Sequence, residues 1–231
     1  MRRAFTLVEL LVCFAVIACL LALLFPAVAF AQGSKPAIYI TSAQVQEVNK
    51  LPGIDRQIVN TDVGNTNLAV GIIHRGKTGA PPAAGATGAA GAAGGGAAAG
   101  GAAAAAAAEP CGETGTVPAG SVGGGIWHQG QTETYVIVSG SGTLVTGGKI
   151  YNGRKSGPTS EVTKVLNGPS CSGTTTGADV VKKVVKTGDI IIIPAGVPHG
   201  WSDIPEHVDY LSFRPSARVL EAGYVNPALK K

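Results

Sequence analysis

Apolar and polar positions alternate over short stretches through most of the chain beyond residue 110. Turn-forming residues separate these stretches at residues 139–142, 147–148 and 187–188. Such a pattern predicts many short strands joined by tight turns, which is typical of a double-sheet barrel or jelly roll. Ile190 to Ile193 is apolar at every position, so we expect a strand buried on both faces. The predicted strands are Gly123–His128, Glu133–Ser139, Thr143–Thr146, Asp179–Val185, Asp189–Ile193 and Val208–Phe213.

Two further strands and two short helices are predicted around this region. Residues 56–63 and 68–75 are rich in Val and Ile and flank a turn cluster at 64–67, which favours a hairpin. A short helix precedes the hairpin, with Thr41 or Ser42 as its N-cap and Pro52 and Gly53 beyond its end. A last helix is expected over residues 216–222. The fold class predicted is all-β with short flanking helices.

Two segments do not follow the alternation. Residues 79–108 are almost wholly Gly and Ala, so they have no side chains large enough to offset the entropy of ordering, and we expect a disordered insertion. Residues 151–177 form a long segment rich in Gly, Ser, Thr and Pro, which we interpret as a lid or as a second disordered insert. The predicted organisation is an amino-terminal segment (1–31), a helix with the first strands (32–78), the insertion (79–109), and the barrel core with a carboxy-terminal helix (110–231).

The amino-terminal segment has the order of an export signal. Arg2 and Arg3 precede an apolar stretch over residues 5–25, and a small-x-small site follows at residues 29–31. We expect cleavage before Gln32 and an exported protein, either periplasmic or secreted. If the segment is retained, its roughly 21 nearly uncharged residues are long enough to anchor the chain in a membrane.

Two other interpretations of the same segment remain open. Ala4 followed by Phe5 and Glu9, with Pro26 further on, resembles a type IV prepilin start. The chain then has Gly and Pro at residues 33–36, whereas a pilin continues as one long helix. A lipobox-like run over residues 16–19 would instead make Cys19 a lipid anchor.

Composition narrows the function classes. The chain has 231 residues, a formal net charge of +4 and 14% charged residues. No basic stripe or aromatic-interleaved Lys/Arg cluster is present in the sequence, so no nucleic-acid partner is expected. Four cysteines are too few for a disulfide scaffold. Export would place Cys111 and Cys171 in an oxidising compartment, where we expect them to pair; two unpaired thiols are the alternative.

Two segments carry the candidate chemistry, and together they resemble the cupin superfamily. The first runs from Gly120 to Gly140, and the second from Gly188 to Asp203. The resemblance covers about residues 120–215 and implies a double-stranded β-helix with a metal site. Two positions depart from the family pattern, because Ile126 stands where the first histidine usually lies and Asp203 replaces a usual Asn. The matched residues are Gly120, His128, Glu133, Gly140, Gly188, Pro194, Gly196 and His199.

His128, Glu133 and His199 are the candidate metal ligands. The first two lie on strands joined by a short turn, and His199 follows a Pro-Ala-Gly turn after an apolar strand. Two imidazoles and one carboxylate suit non-haem Fe(II) and also tolerate Mn, Zn or Ni. In the cupin family a fourth metal ligand usually stands at the position of Ile126, and an isoleucine side chain cannot supply it. If His74 faces inward, it could replace the missing ligand; if it faces outward, it is an ordinary strand residue. His207 is expected at the surface.

Alternation along the strands predicts a pocket lined by Ile126, Tyr135 and Trp201, although core packing explains the same residues. Two functions follow. The first is a metal-dependent enzyme of the oxygenase, isomerase or decarboxylase kind acting on a small molecule, with catalytic residues unassigned. The second is a noncatalytic module that binds a small ligand or takes part in envelope assembly. A third alternative, from the amino-terminal segment, is a pilus-like structural subunit. The resemblance to the cupin family also implies a homodimer.

Overall fold

A computed structural model describes residues 7–24, 37–79 and 108–230 of the chain. The chain divides into two compact units, residues 1–39 and 40–231. Helix α1 (Leu7–Leu24) belongs to the first unit. Among the described residues, no helix meets the length and apolarity needed to cross a membrane. Most of the predicted Gly/Ala insertion and the predicted cleavage site before Gln32 lie outside the described residues.

The second unit consists almost entirely of strands. Its only α-helix within the described ranges is α2 (Ser42–Asn49), which begins after the N-cap Thr41 as predicted. The Thr41 hydroxyl accepts a hydrogen bond from the Gln44 backbone N–H, and the Gln44 side-chain oxygen accepts one from the Thr41 backbone N–H. The strands are β1 (Asp55–Asp62), β2 (Asn67–Gly76), β3 (Pro110–Cys111), β4 (Val122–His128), β5 (Glu133–Thr146), β6 (Lys149–Lys155), β7 (Ser170–Thr176), β8 (Val181–Lys186), β9 (Ile190–Ile193), β10 (His199–Asp203), β11 (His207–Ser216) and β12 (Tyr224–Val225).

The strands form two antiparallel sheets that share β5. The first sheet has the order β12-β1-β2-β11-β5-β9, and the second has the order β8-β5-β10-β4-β7-β6-β3. The first half of β5 pairs with β9 and β11, and its second half pairs with β8 and β10. A strand that passes from one sheet to the other closes the two layers into a jelly-roll barrel. The prediction of an all-β fold of the double-stranded β-helix type is confirmed.

The main core lies inside the barrel, and a second cluster lies under α2. Alternate residues of β2, β5 and β11 point inward, which explains the period-two pattern of the sequence. On the opposite face of the first sheet, Val48 of α2 packs on Ile58, Val70 and Ile72. The inner cluster consists of Ile73, Tyr135, Ile137, Leu144, Val185, Ile193, Trp201, Ile204, Val208 and Tyr210.

Three sequence predictions about elements are wrong. Residues 139–142 do not end a strand, because β5 runs on through Gly140 at a positive φ of 71°. Residues 151–177 are neither lid nor insert: they contain most of β6, a π-helical turn (Val162–Leu166) and β7, which is ordered by pairing with β4 and β6. Residues 216–222 form no helix; β11 extends to Ser216, and a 3₁₀ turn follows at Pro227–Leu229.

The apolar run in β9 is also not buried on both faces. Ile193 is 2% exposed, whereas Ile190 and Ile192 are 66% and 69% exposed. β9 pairs with β5, and its alternate residues face away from the barrel. Apolar composition alone could not reveal this, because burial depends on whether another layer covers the outer face.

A disulfide joins Cys111 of β3 to Cys171 of β7, as predicted. Cys171 is fully buried, and the bond joins the edge strand β3 to β7 on the other side of β6. A crosslink that closes a span of 60 residues stabilises a fold by about 4 kcal/mol in the chain-entropy description. The pairing is consistent with an oxidising compartment.

Candidate metal centre

The three predicted ligands come together inside the barrel at the ends of three strands. His128 is the last residue of β4, Glu133 is the first of β5 and His199 is the first of β10. The register sets His199 opposite Ile126 and Glu133 opposite Ile193. All three side chains are buried, with at most 5% of each residue exposed.

Their ligand atoms converge on one point. One oxygen of Glu133, Oε2, lies 3.3 Å from His128 Nε2 and 3.0 Å from His199 Nε2. One atom from each residue lies within 4.8 Å of the other two. The two imidazole rings stand 5.1 Å apart between centroids and make a steep angle of 60°.

Hydrogen bonds on the far side of each ring determine which nitrogen carries the proton. The Ser170 hydroxyl donates its only proton to Gly168 O at 2.9 Å, so it accepts from His128 Nδ1 at 2.7 Å. His199 Nδ1 lies 3.0 Å from Val197 O, which can only accept. In the neutral rings both protons are therefore on Nδ1. Both Nε2 atoms then carry lone pairs directed at Glu133 Oε2.

The second oxygen of Glu133 is held by a buried network. Arg214 Nε donates to Oε1 at 2.9 Å, and the Ser212 hydroxyl donates to the same atom at 3.0 Å. The guanidinium of Arg214 also forms an ion pair with Asp55. Tyr135 donates its hydroxyl proton to Oε2 at 2.9 Å. One carboxylate oxygen is thus fixed by Arg214, while the other faces the histidines.

The protonation of these groups follows from burial and charge. Burial opposes ionisation of Glu133, but the positive charge of Arg214, and that of His128 whenever its ring is protonated, outweighs burial and holds the pKa of Glu133 well below its usual range. Burial lowers the pKa of the His128 imidazole, which favours the neutral ring. Burial and the nearby Glu133 charge raise the pKa of Tyr135, so its hydroxyl stays a donor. The site therefore offers an ionised carboxylate and a neutral imidazole, which are the forms that bind metals.

The cavity beside these residues is small, about 30 Å³. This is room for about one water molecule. Ile126, Tyr135 and Trp201 all line it, as the alternation of the strands predicted. Asp55, Asn167 and Arg214 also line it, and Asp55 Oδ1 and Asn167 Oδ1 are buried without a hydrogen-bond partner among the described residues.

The remaining motif residues lie outside the centre. His74 faces outward and is 46% exposed, so it does not replace the missing ligand. Ile126 contributes only apolar lining, and Asp203 is exposed at the end of β10. Sequence reasoning missed Asp55 and Arg214. The alternation of β11, in which Tyr210, Ser212 and Arg214 share the inner face, was the available signal for Arg214.

The donor set fits a divalent metal ion. Two imidazole nitrogens with lone pairs and one carboxylate oxygen converge, and hydrogen bonds orient each ligand from behind, as is usual around protein metal sites. Such a His₂-carboxylate set suits Fe, Mn, Zn or Ni.

Comparison with known proteins finds a known sequence motif at the amino terminus and solved structures that are remotely similar to this chain. Residues 1–25 match the prokaryotic N-terminal methylation motif. No curated protein matches the chain. Similar solved structures include BH2720 from Bacillus halodurans (TM-score 0.36, 10% identity, 84% of this chain and 89% of that chain). A protein with a double-stranded β-helix domain from Klebsiella pneumoniae has a TM-score of 0.34 and 12% identity, over 80% of this chain and 94% of its own.

A third similar structure is the Drosophila melanogaster CENP-C cupin domain, with a TM-score of 0.28 and 9% identity over 68% of this chain and 74% of that domain. The fold assignment itself comes from the strand order and pairing of this chain. The protein combines a prepilin-like amino terminus with a cupin-like barrel. The prepilin-like alternative for residues 1–31 is thus supported by a match, while cleavage before Gln32 stays a prediction.

Proposed function

We propose that the barrel binds one divalent metal ion through His128 Nε2, His199 Nε2 and Glu133 Oε2. The observation that carries this proposal is the convergence of three lone-pair atoms within 4.8 Å. Such atoms repel one another in the core unless a cation or a shared proton lies between them. A metal ion would satisfy all three at once and would displace any proton that they share.

The bound metal would supply Lewis-acid chemistry to a small oxygen-bearing ligand. The residues of the chain have supporting roles. Arg214 and Ser212 fix the orientation of Glu133, and Tyr135 donates a hydrogen bond to the coordinating oxygen. Trp201 and Ile126 give the cavity apolar walls that limit the access of water.

The size of the cavity bears on the catalytic form of the proposal. A space of about 30 Å³ admits a water or a diatomic molecule, so an oxygen-dependent enzyme is one catalytic form that it would allow. An organic substrate would have to bind after the cavity opens. The small volume of the cavity therefore favours the alternative, a noncatalytic module in which the metal supports the barrel and the protein acts in the cell envelope.

The amino-terminal motif supports an envelope location. Prepilin-like segments are export signals that can stay associated with the membrane, and the disulfide fits an oxidising compartment. We propose that the barrel is exported and faces the periplasm or the cell exterior.

Elemental analysis tests the metal proposal. The full-length chain, purified without chelators or a histidine tag, is expected to carry Fe, Mn, Zn or Ni, and His128→Ala and His199→Ala should each lose one equivalent while circular dichroism shows an intact barrel. Asp203→Asn, at an exposed position, is the control and should keep the metal. Full metal content in both histidine variants would rule out the site. Oxygen consumption screening of the loaded protein then separates the enzyme from the noncatalytic module.

A further inference from the structure

The edge of the barrel along β5 has an outward face on two consecutive strands. β8 and β9 are joined by a turn at residues 187–189, and within the described residues each pairs with β5 alone. Val185 and Ile193 belong to the inner cluster, so the even-numbered residues of both strands are directed away from it. We call these outward residues the edge face; they are Lys182, Val184, Lys186, Ile190 and Ile192.

The aliphatic side chains of the edge face are open to solvent. Val184 is 70% exposed, and Ile190 and Ile192 are 66% and 69% exposed. Val138, on the adjacent part of β5, is 41% exposed and extends the apolar area. A single exposed aliphatic residue is ordinary on a protein surface, whereas a group of them marks an interaction site. The edge face therefore has the character of a surface that a partner covers.

The charge of this face indicates which partner it fits. Lys182 and Lys186 flank Val184, and Lys183 is exposed beside them; none of the three forms an ion pair in the part of the chain that the structure describes. Asp189 is the only acid between residues 181 and 193, and its Oδ2 accepts a hydrogen bond from the Lys186 backbone at 2.9 Å. Aliphatic and lysine side chains together complement an anionic lipid surface. A second copy placed on the same face by a two-fold axis would bring lysines near lysines.

The amino-terminal motif brings a membrane within reach of the barrel. Residues 1–25 match the prokaryotic N-terminal methylation motif. The chain between this motif and α2, residues 26–41, spans at most about 55 Å when fully extended. A chain that keeps its amino terminus in the membrane therefore holds the barrel at a high effective concentration beside the lipid. Even a weak attraction between the barrel and the lipid surface is then sufficient for docking.

We propose that the edge face docks the barrel on an anionic lipid surface. The aliphatic side chains enter the boundary between headgroups and acyl chains, and Lys182 and Lys186 pair with the lipid phosphates. The proposal rests on the envelope location proposed above, with the amino-terminal segment retained. It involves no residue of the metal centre, so it does not depend on metal binding.

Lipid vesicles test the proposal with the full-length chain, held by its amino-terminal segment. Ile192→Trp places a fluorescent ring on the edge face, and brominated phosphatidylcholine quenches a ring that enters the lipid. We expect quenching beyond that of the unsubstituted chain in vesicles that contain phosphatidylglycerol, and little in vesicles of phosphatidylcholine alone. Val63→Trp, in the turn between β1 and β2 where Val63 is 53% exposed, is the positional control and should not be quenched in either.

Reversal of two charges tests the electrostatic part of the docking. A lysine near an anionic surface raises partitioning by a factor of about five, so Lys182→Glu/Lys186→Glu should lower the ratio of docked to free barrel by at least about 25-fold. The ratio is taken from the quenching of the Ile192→Trp chain. Lys77→Glu/Lys164→Glu makes the same change in net charge at exposed positions outside the edge face. This matched control should keep the quenching.

The proposal is overturned if Ile192→Trp shows no additional quenching in anionic vesicles, if Val63→Trp is quenched equally, or if quenching survives the reversal of both lysines. Protection of Ile192→Trp from aqueous acrylamide that rises with protein density in phosphatidylcholine vesicles would show that a second copy covers the face instead. Flotation of the vesicles reports attachment through the amino-terminal segment, so failed docking is distinguishable from failed attachment. Because the vesicle assay does not depend on where the cell keeps the protein, its failure is also distinguishable from a failure of export.

Discussion

At the scale of single residues, Ser170 determines how His128 presents itself to the cavity. Its proton goes to Gly168 O, so its oxygen accepts the Nδ1 proton of the imidazole. Nε2 is then free to coordinate. Val197 O has the same effect on His199 through a backbone carbonyl. Ser170 Oγ and Val197 O are not candidate ligands themselves, but they determine whether the Nε2 atoms of His128 and His199 carry lone pairs or protons.

Ser170→Ala tests this role. The substitution removes the acceptor for His128 Nδ1, so the ring loses its fixed tautomer and orientation. We expect the affinity of the barrel site for Zn²⁺ to fall by about 10- to 100-fold, measured by competition with a chromophoric chelator. Ser172→Ala on the same strand is the matched control and should bind normally. Equal affinity in both variants would show that Ser170 does not orient the ligand.

At the scale of the element, β9 shows how one strand can have two different faces despite a uniform sequence. Its four isoleucines are equivalent in hydropathy, but Ile193 points into the inner cluster while Ile190 and Ile192 point outward. The register with β5 decides this, because Ile193 pairs with inward-facing Glu133. Within the described part of the sheet, β9 pairs with β5 alone. Exposed apolar side chains on such an edge strand favour self-association of the protein.

The same substitution at neighbouring positions tests the register. Ile193→Thr places a hydroxyl in the core and removes apolar contact, so we expect it to lower the free energy of unfolding by about 2 kcal/mol or more. Ile192→Thr lies on the exposed face and should change it by less than about 0.5 kcal/mol. Urea denaturation followed by tryptophan fluorescence measures both values. Equal losses at the two positions would mean that β9 is covered on its outer face.

At the scale of the whole molecule, the protein consists of a prepilin-like amino terminus and a disulfide-linked barrel. The motif covers residues 1–25, and the disulfide lies in the barrel. Both features are consistent with export, since the motif directs a chain to the membrane and the disulfide forms outside the reducing cytoplasm. Three processing sites compete in the sequence: one before Phe5, one before the lipobox-like Cys19 and one before Gln32.

Amino-terminal sequencing of the protein isolated from its own cells separates these sites. Because residues 1–25 match the methylation motif, we expect the mature chain to begin at Phe5 and to keep the apolar segment. An Ala4→Lys change at the processing site should then leave the precursor uncleaved, whereas Ala31→Lys should have no effect. A mature chain that begins at Gln32 would contradict prepilin-type processing and support ordinary signal cleavage.

The predictability of the centre differs among its residues. His128, Glu133 and His199 were accessible because residue type and spacing both pointed to them, and alternation placed Tyr135 and Trp201 on the same inner face. The ion pair between Asp55 and Arg214 was not accessible, because the two residues are 159 apart in the chain and only the fold brings them together; alternation in β11 could place Arg214 on the inner face but could not identify its partner. The hydrogen bonds that join His74, Asp209 and Ser139 on the outer face of the first sheet could not be predicted for the same reason, and a bulge in β5 reverses the face that alternation assigns to Ser139.

The fold class, the hairpin of β1 and β2, the cap of α2 and the inward position of the three candidate metal ligands could be predicted from the amino-acid sequence, because they depend on local periodicity, turn residues and short spacing. The ordering of residues 151–177, the exposure of Ile190 and Ile192 and the ion pairs of Arg214 became evident only in the folded structure. Each of these depends on a partner strand or layer that is distant in sequence. The local pattern of apolar and polar residues indicates which side chains share a face of a strand. The strand or layer that the fold packs against that face determines which residues they contact.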